Sequence, residues 1–174
     1  MRRESGFTLV ELLIVVSVIG ILASLAAPGL MKARVSSQEA NAVASLRAIA
    51  SGEANFAASC GSGGYATELS DLAMAPPRTT VAFISPDLSV NGVQKTGYLF
   101  SVDKNADPTT SDVTIPACNG AVNDRATMYF ASANPVTIGV TGTKYFATDT
   151  PSTIYMATDL PISNPVAAGA TPLR

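Results

Sequence analysis

One stretch near the N-terminus dominates the hydrophobic pattern of the chain: residues 12–31 contain no charged side chain. This length matches the ~20 apolar residues, rising ~1.5 Å each, that an α-helix needs to cross the hydrocarbon core of a bilayer. One acidic residue, Glu11, directly precedes the run. Because an ionisable group in an apolar helix is energetically costly, Glu11 is predicted to have a function.

The helical period continues after the apolar run, although the composition changes. Five apolar residues are spaced by seven, four, three and seven positions: Val35, Ala42, Leu46, Ile49 and Phe56. This spacing predicts an amphipathic helix over residues 32–59, with its apolar stripe against a globular domain. Four polar residues are expected to lie largely off the stripe: Gln38, Glu39, Arg47 and Glu53. The glycine-rich residues 61–64 predict the helix end, so the whole helix would be about 80 Å long.

Gly20 and Pro28 interrupt the apolar half of this helix. Proline removes one backbone hydrogen bond and clashes with the preceding turn. A kink or a looser segment is therefore expected around residues 24–27.

The second part of the chain reads as β-structure. Four segments are rich in aromatic and β-branched residues and are bounded by turn residues: 97–102, 128–133, 144–148 and 153–157. They predict an antiparallel meander that covers the apolar stripe of the helix, hence an α+β fold. Weaker strand signals lie at 81–84 and 88–90, residues 65–72 predict a short turn or helix, and the proline-rich tail 161–174 is expected to be loose.

Composition narrows the range of possible functions. Charged residues make up 14% of the chain, below the ~25% of ordinary soluble domains, and the formal net charge is −2. The chain has no basic stripe of the kind that would indicate nucleic-acid binding. The chain has no histidine, which excludes histidine-based acid–base catalysis and histidine metal ligands. We therefore expect neither an enzyme nor a cofactor.

The two cysteines, Cys60 and Cys118, are separated by 58 positions. In an exported domain an even pair predicts one disulfide, which would contribute roughly 2–4 kcal/mol if unstrained. Two unrelated buried thiols are the alternative.

Asp103, Asn105 and Asp107 resemble the start of a calcium loop. The pattern fails further on, because Pro108 and Thr114 stand where a glycine and a bidentate acid are needed. A hydrophilic turn is the favoured interpretation, and calcium is a weak candidate.

The residues from Gly6 to Leu12, with the sequence GFTLVEL, resemble the processing site of type IV prepilins and type II secretion pseudopilins. The resemblance implies that a prepilin peptidase/N-methyltransferase cleaves between Gly6 and Phe7 and methylates the new N-terminus at Phe7. It also implies four segments: a leader at 1–6, a membrane and filament-core helix at 7–31, its amphipathic continuation at 32–59, and a β-rich head at 60–174. An inner-membrane assembly platform and further pilin subunits are the implied partners. The head also resembles the globular half of pilin-like proteins, but the cysteine positions depart from the C-terminal pair of many type IV pilins.

Cleavage would create an ammonium group on Phe7, whose usual pKa lies near ~7.7–8.0. Glu11 could pair with this group in its own chain, one helical turn away, or with Phe7 of a neighbouring subunit. The family favours the second pairing, which would set the axial register between helices. The resemblance also implies a second interpretation of Gly20 and Pro28, as the limits of a segment that stretches when subunits pack.

Three functions are compatible with these patterns. The favoured one is a structural subunit that polymerises through its N-terminal helix into a type IV pilus or pilus-like filament. The alternative is a pseudopilin of a type II secretion system. A third is an exported β-rich binding domain whose first segment is a simple anchor or a signal peptide cleaved near residues 24–26. The first two predict an inner-membrane precursor and then an extracellular or periplasmic filament.

Overall fold

The computed structural model describes residues 7–167 and 170–173 of the chain. One long helix, α1 (Leu9–Ser59), is followed by a small head built on an antiparallel sheet, which confirms the α+β fold. The short helix α2 (Leu69–Leu72) and a 3₁₀ turn (Pro86–Leu88) precede the sheet. The described residues contain eight strands: β1 (Val93–Lys95), β2 (Tyr98–Lys104), β3 (Asp112–Val113), β4 (Arg125–Ala126), β5 (Tyr129–Pro135), β6 (Tyr145–Asp149), β7 (Ile154–Ala157) and β8 (Thr171–Pro172).

Six strands form the main sheet in the order β1-β2-β5-β6-β7-β8, and β3 pairs with β4 in a separate two-stranded ladder. Every pair is antiparallel. The four best sequence-predicted strands are confirmed as β2, β5, β6 and β7, with ends within two residues of the prediction. Residues 65–72 contain α2, as expected.

The core lies between one face of this sheet and the second half of α1. Strand β2 alternates, so that Tyr98, Phe100 and Val102 are buried while the residues between them are not. Across the ladder, Phe100 is paired with Ala133 and Val102 with Ala131. These two alanines belong to the core cluster that includes Leu46 and Ile49 of α1, and their small size lets the helix lie close to the centre of the sheet.

One expectation about the helix was wrong. Glu39 and Glu53 were expected off the apolar stripe, yet both are buried, and Glu53 is 0% exposed. The reason is geometric: residues 39, 42, 46, 49, 53 and 56 follow alternating spacings of three and four, which keep one face of a helix toward one neighbour. The two acids therefore lie within the stripe.

Three expectations about the head also need correction. Residues 81–84 form no strand, because Phe83 packs on Phe56 and its N–H donates to the carbonyl of Leu72 at 3.0 Å. Residues 88–90 form no strand either, because Leu88 is the last residue of the 3₁₀ turn. The tail is not wholly loose: Thr171–Pro172 pairs with β7, and the N–H of Leu173 donates to the carbonyl of Ile154 at 2.7 Å.

Helix α1 is continuous through Gly20 and Pro28 in this single subunit. No helix break is present there, and a segment that stretches on assembly stays a prediction. At the other end, the N–H groups of Cys60 and Gly61 both donate to the carbonyl of Phe56. The helix thus ends just before the glycine-rich segment, as predicted.

Candidate functional site: the exposed N-terminal helix

The first half of α1 has no packing partner among the described residues of the chain. All residues from 7 to 34 are exposed, including the large aliphatic side chains of the apolar run. In the part of the chain that the structure describes, α1 is the single helix long and apolar enough to cross a membrane. An apolar surface of this size on a soluble monomer is unusual and marks a site that lipid or another protein covers.

Polar side chains inside this segment are satisfied by its own backbone. The hydroxyl of Ser17 donates to the carbonyl of Leu13 at 2.7 Å, and that of Ser24 to the carbonyl of Ile21 at 2.7 Å. Such back-bonding removes the cost of placing a hydroxyl in hydrocarbon. The serines therefore do not prevent insertion of the helix into a bilayer.

Glu11 lies in the first turn of α1 and forms a capping box with Thr8. The N–H and the hydroxyl of Thr8 donate to the carboxylate of Glu11 at 2.9 and 2.6 Å. In return, the N–H of Glu11 donates to the hydroxyl of Thr8 at 3.3 Å. This capping box gives hydrogen-bond partners to backbone N–H groups that lack one at the start of every helix. The positive end of the helix dipole also stabilises the carboxylate of Glu11.

The role of Thr8 as the N-cap of α1 was not predicted from the sequence. The signal was present, since Thr8 and Glu11 follow the Thr-x-x-Glu spacing of a capping box before an apolar run. The capping box gives the carboxylate two donors inside its own chain, so a neighbouring subunit is not its sole source of hydrogen bonds. Phe7 is exposed directly before this cap, whereas Gly6 lies outside the described residues.

The family model for the prokaryotic N-terminal methylation motif matches residues 1–27, the region that ends inside the exposed apolar run. This is a prepilin-type N-terminus. The resemblance drawn from Gly6, Phe7 and Glu11 is therefore confirmed at the level of the family motif.

Two curated proteins are similar to part of this chain. The chain is 43% identical over 54 residues to the type IV major pilin protein PilA of Myxococcus xanthus (strain DK1622), a match that covers 31% of this chain and 24% of the relative. It is 44% identical over 48 residues to the type II secretion system core protein G of Aeromonas hydrophila, covering 28% of this chain and 34% of that relative. The chain thus spans about a quarter and a third of the lengths of these relatives. No solved structure matches it.

The two cysteines form a disulfide, as predicted, with their Cα atoms 4.8 Å apart. Cys60 caps the C-terminus of α1, and Cys118 lies in the connection between β3 and β4. The N–H of Cys118 also donates to the carbonyl of Cys60 at 3.0 Å. The disulfide therefore joins the C-terminus of α1 to the β3–β4 connection of the head, at the end of the helix opposite to its exposed apolar half.

Two of the three candidate calcium-loop residues, Asn105 and Asp107, accept hydrogen bonds within the turn after β2. The side-chain oxygen of Asn105 accepts from the N–H of Asp107 at 2.9 Å, and Asp107 accepts from both the N–H and the hydroxyl of Thr109. Asp103 is exposed at the end of β2. These hydrogen bonds support the interpretation of the segment as a hydrophilic turn.

A second contact missed from the sequence joins α1 to the loop between β5 and β6. One carboxylate oxygen of Glu39 accepts from the N–H and the hydroxyl of Thr143 at 2.9 and 2.7 Å. The other oxygen lies 3.1 Å from the Nζ of Lys144. Burial raises the pKa of Glu39, but these hydrogen bonds and the ion pair outweigh it, so that the net pKa lies below its usual value. We call this contact the Glu39 clamp.

Glu53 is the other buried acid of the helix, and its surroundings differ. One carboxylate oxygen accepts from the N–H of Ala66 at 2.9 Å, while the other is buried without a hydrogen-bond partner among the described residues. Burial raises its pKa well above the usual value, and the nearby carboxylate of Asp71 adds to this. Burial likewise raises the pKa of Tyr129 to about 12. The interior next to the helix end therefore favours neutral side chains.

Proposed function

We propose that this chain is a structural subunit that polymerises through its N-terminal helix into a type IV pilus or pilus-like filament. The observation that carries the proposal is the exposed first half of α1, with an acidic residue at its start and a prepilin-type motif across it. Pilins and pseudopilins are structural rather than enzymatic proteins, and both families assemble from related subunits.

A pseudopilin of a type II secretion system is the second candidate. The match to a core secretion protein favours it as much as the match to a major pilin favours the first, since the two identities are 44% and 43% over similar lengths. Electron microscopy of sheared surface material distinguishes the two. Long fibres in that material support the pilus, while fibres found only in the periplasmic fraction support the pseudopilus.

The proposed route begins with a precursor held in the inner membrane by residues 7–31. A prepilin peptidase/N-methyltransferase removes residues 1–6 and methylates Phe7, and an assembly platform then moves the subunit from the bilayer into the growing fibre. This move replaces the lipid around the apolar half of α1 by apolar side chains of other subunits, so the surroundings of the helix are apolar before and after it. A carboxylate among such neighbours favours positions next to a cation, which the N-terminus of an adjacent subunit would supply.

Mass spectrometry of the mature protein tests the processing step. The expected result is a chain that begins at N-methylated Phe7. A mature N-terminus near Ala27 would identify residues 1–26 as an export signal and would refute both filament proposals in favour of a simple exported domain.

Three variants then separate the two roles of the acid. Glu11→Gln keeps an oxygen that can cap the helix but removes the charge, Thr8→Val removes the cap but keeps the charge, and Glu11→Ala removes both. We expect filaments to be lost or disordered in both Glu11 variants and retained with Thr8→Val, because pairing needs the charge. Normal filaments with Glu11→Gln would show that Glu11 acts as a helix cap alone.

A further inference from the structure

The loop between β5 and β6, residues 136–144, presents apolar side chains to solvent while hydrogen bonds within the loop hold its backbone. Ile138 is 52% exposed and Val140 is 60% exposed. The loop is closed by hydrogen bonds from the N–H of Thr141 to the carbonyl of Thr137 and from the N–H of Gly139 to the carbonyl of Gly142, at 2.9 and 2.8 Å. Val140 shares a groove with Met31 and Val35 of α1, and a contiguous exposed apolar surface of this kind marks an interaction site.

This loop lies beside the C-terminal end of the exposed apolar half of α1. A groove of about 440 Å³ separates the two, lined on the helix by residues such as Met31, Lys32 and Val35 and on the loop by Gly139 and Val140. Met31 is the last residue of the uncharged run, so the loop tip is at the level where the helix would leave the hydrocarbon.

Two cations accompany the groove. Lys32 and Arg34 line it, and neither forms an ion pair with a described acidic residue. Long basic side chains next to a membrane helix place their charge among lipid phosphates while their stems remain on apolar surface. An apolar tip beside free cations is the chemistry that an anionic lipid surface recognises.

The position of the loop is set by contacts with α1 and with the sheet. The Glu39 clamp attaches Thr143 and Lys144 to the helix about two turns beyond Met31. Gly142 is packed so closely on Tyr98 that a Cβ there would overlap the phenol oxygen. The loop therefore has a defined position relative to the helix before any partner is met.

From this geometry we infer that the β5–β6 loop is a membrane-docking foot: in the membrane-held precursor, Ile138 and Val140 enter the headgroup region of the bilayer, while Lys32 and Arg34 contact anionic lipid phosphates. The inference rests on the proposed membrane-held precursor and extends it, because it makes the head itself a lipid-contacting element. Such docking fixes the tilt of the head over the bilayer, and withdrawal of the loop from lipid becomes part of the extraction of the subunit.

A lipid surface is favoured over a second copy of the chain, because the loop is continuous with the apolar surface of α1. The foot extends an apolar surface already suited to a bilayer, at the depth where phosphates lie, and its charges are positive. Amphipathic surfaces of this kind sit about 5–10 Å deep at the boundary of headgroups and acyl chains. Contact with a neighbouring subunit is the competing occupant that the experiment must exclude.

The test uses the full-length chain in vesicles of phosphatidylethanolamine and phosphatidylglycerol, with nitroxide-labelled lipids as quenchers. Single cysteines are introduced by Ile138→Cys, Val122→Cys or Ile19→Cys and labelled with an environment-sensitive fluorophore while the Cys60–Cys118 bond is closed. Val122 is the matched control: it is 91% exposed and apolar, but it lies near the disulfide, roughly 30–40 Å along the helix axis from the groove.

We expect the label at Ile138 to be quenched at least threefold more strongly than the label at Val122 by a nitroxide near the headgroups. The label at Ile19 should be quenched by a nitroxide deep in the acyl chains. Equal quenching at Ile138 and Val122, with Ile19 deeply quenched, would overturn the foot and leave the membrane helix intact. An unquenched label at Ile19 would instead refute the membrane-held precursor on which the inference rests.

Charge provides the second measurement. Replacing phosphatidylglycerol by phosphatidylcholine should reduce quenching at Ile138 about twofold, and the double change Lys32→Gln and Arg34→Gln should abolish that dependence on lipid. Quenching that is the same in both lipid mixtures would refute the assigned role of the cations. A label at Ile138 that is exposed in vesicles and shielded only in assembled filaments would identify the loop as a subunit interface and overturn the proposal.

Discussion

The buried acid Glu53 is expected to make the head less stable as the pH rises. Its pKa in the folded protein lies well above the usual value, because burial disfavours the charged form. Between the unfolded pKa near ~4.3 and this raised pKa, the folded state holds a proton that the unfolded state has lost. Stability that is present below the unfolded pKa is therefore lost as the pH rises toward the folded pKa.

The magnitude follows from linkage. One proton taken up on folding changes the free energy of unfolding by up to about 1.4 kcal/mol per pH unit across that window. The change Glu53→Gln removes the titration but keeps a side-chain oxygen that can accept from the N–H of Ala66, a hydrogen bond of 2.9 Å. We expect this variant to match the wild type within about 1 kcal/mol near pH 4 and to become more stable than it by pH 6–7.

Urea unfolding of the full-length chain in a nonionic detergent, at half-unit steps from pH 4 to 8, measures this difference. The chain has five tyrosines and no tryptophan, and every tyrosine lies in the head, so near-ultraviolet circular dichroism reports head unfolding alone. The difference between wild type and variant isolates Glu53 from the other acids, including Asp71, whose pKa burial also raises. Parallel pH curves for the two proteins would refute the reasoning.

Glu39 supplies a control of opposite sign on the same helix. Its folded pKa is lowered because the bonds to Thr143 and Lys144 outweigh burial. It therefore contributes stability above its unfolded pKa that is lost as the pH falls through the folded pKa. In the same assay Glu39→Gln should destabilise the head by roughly 0.5–1.5 kcal/mol at pH 7, since Lys144 is partly exposed, and by less near pH 4.

Two further changes probe how the head is attached to the helix. Cys118→Ser should lower head stability by about 2–4 kcal/mol in the same urea assay, because the bond closes a 58-residue separation, and a loss below about 0.5 kcal/mol would contradict that account. Gly52→Ala should cost about 1–3 kcal/mol, because a Cβ there meets the Cγ2 of Ile84 at 2.7 Å and the carbonyl oxygen of Phe83 at 2.9 Å. Gly20→Ala, where nothing lies within 4 Å, is its matched control and should leave the head signal unchanged; equal losses for both variants would show that close packing is not the cause.

Structural elements that depend on residues close together in the sequence could be predicted well. The apolar run and the helical spacing of apolar residues over 35–56 predicted α1, and a cluster of aromatic and β-branched residues between turn residues predicted β2. The short strand β1 and the β3–β4 ladder were not foreseen, because two or three residues carry too little periodic signal. Strand β8 lies in a proline-rich tail, and its pairing with β7 depends on where the sheet edge falls in space.

The sequence by itself determined the prepilin-type N-terminus, the long helix and the α+β class, because spacing, length and charge act locally along the chain. It also predicted that Cys60 and Cys118 would pair, through their even number in an exported domain. Only the tertiary structure decided that Glu39 and Glu53 are buried with opposite electrostatic surroundings, and that the β5–β6 loop lies beside Met31. These features depend on which distant backbone donors reach a side chain once the sheet has packed on the helix, and no local pattern carries that information.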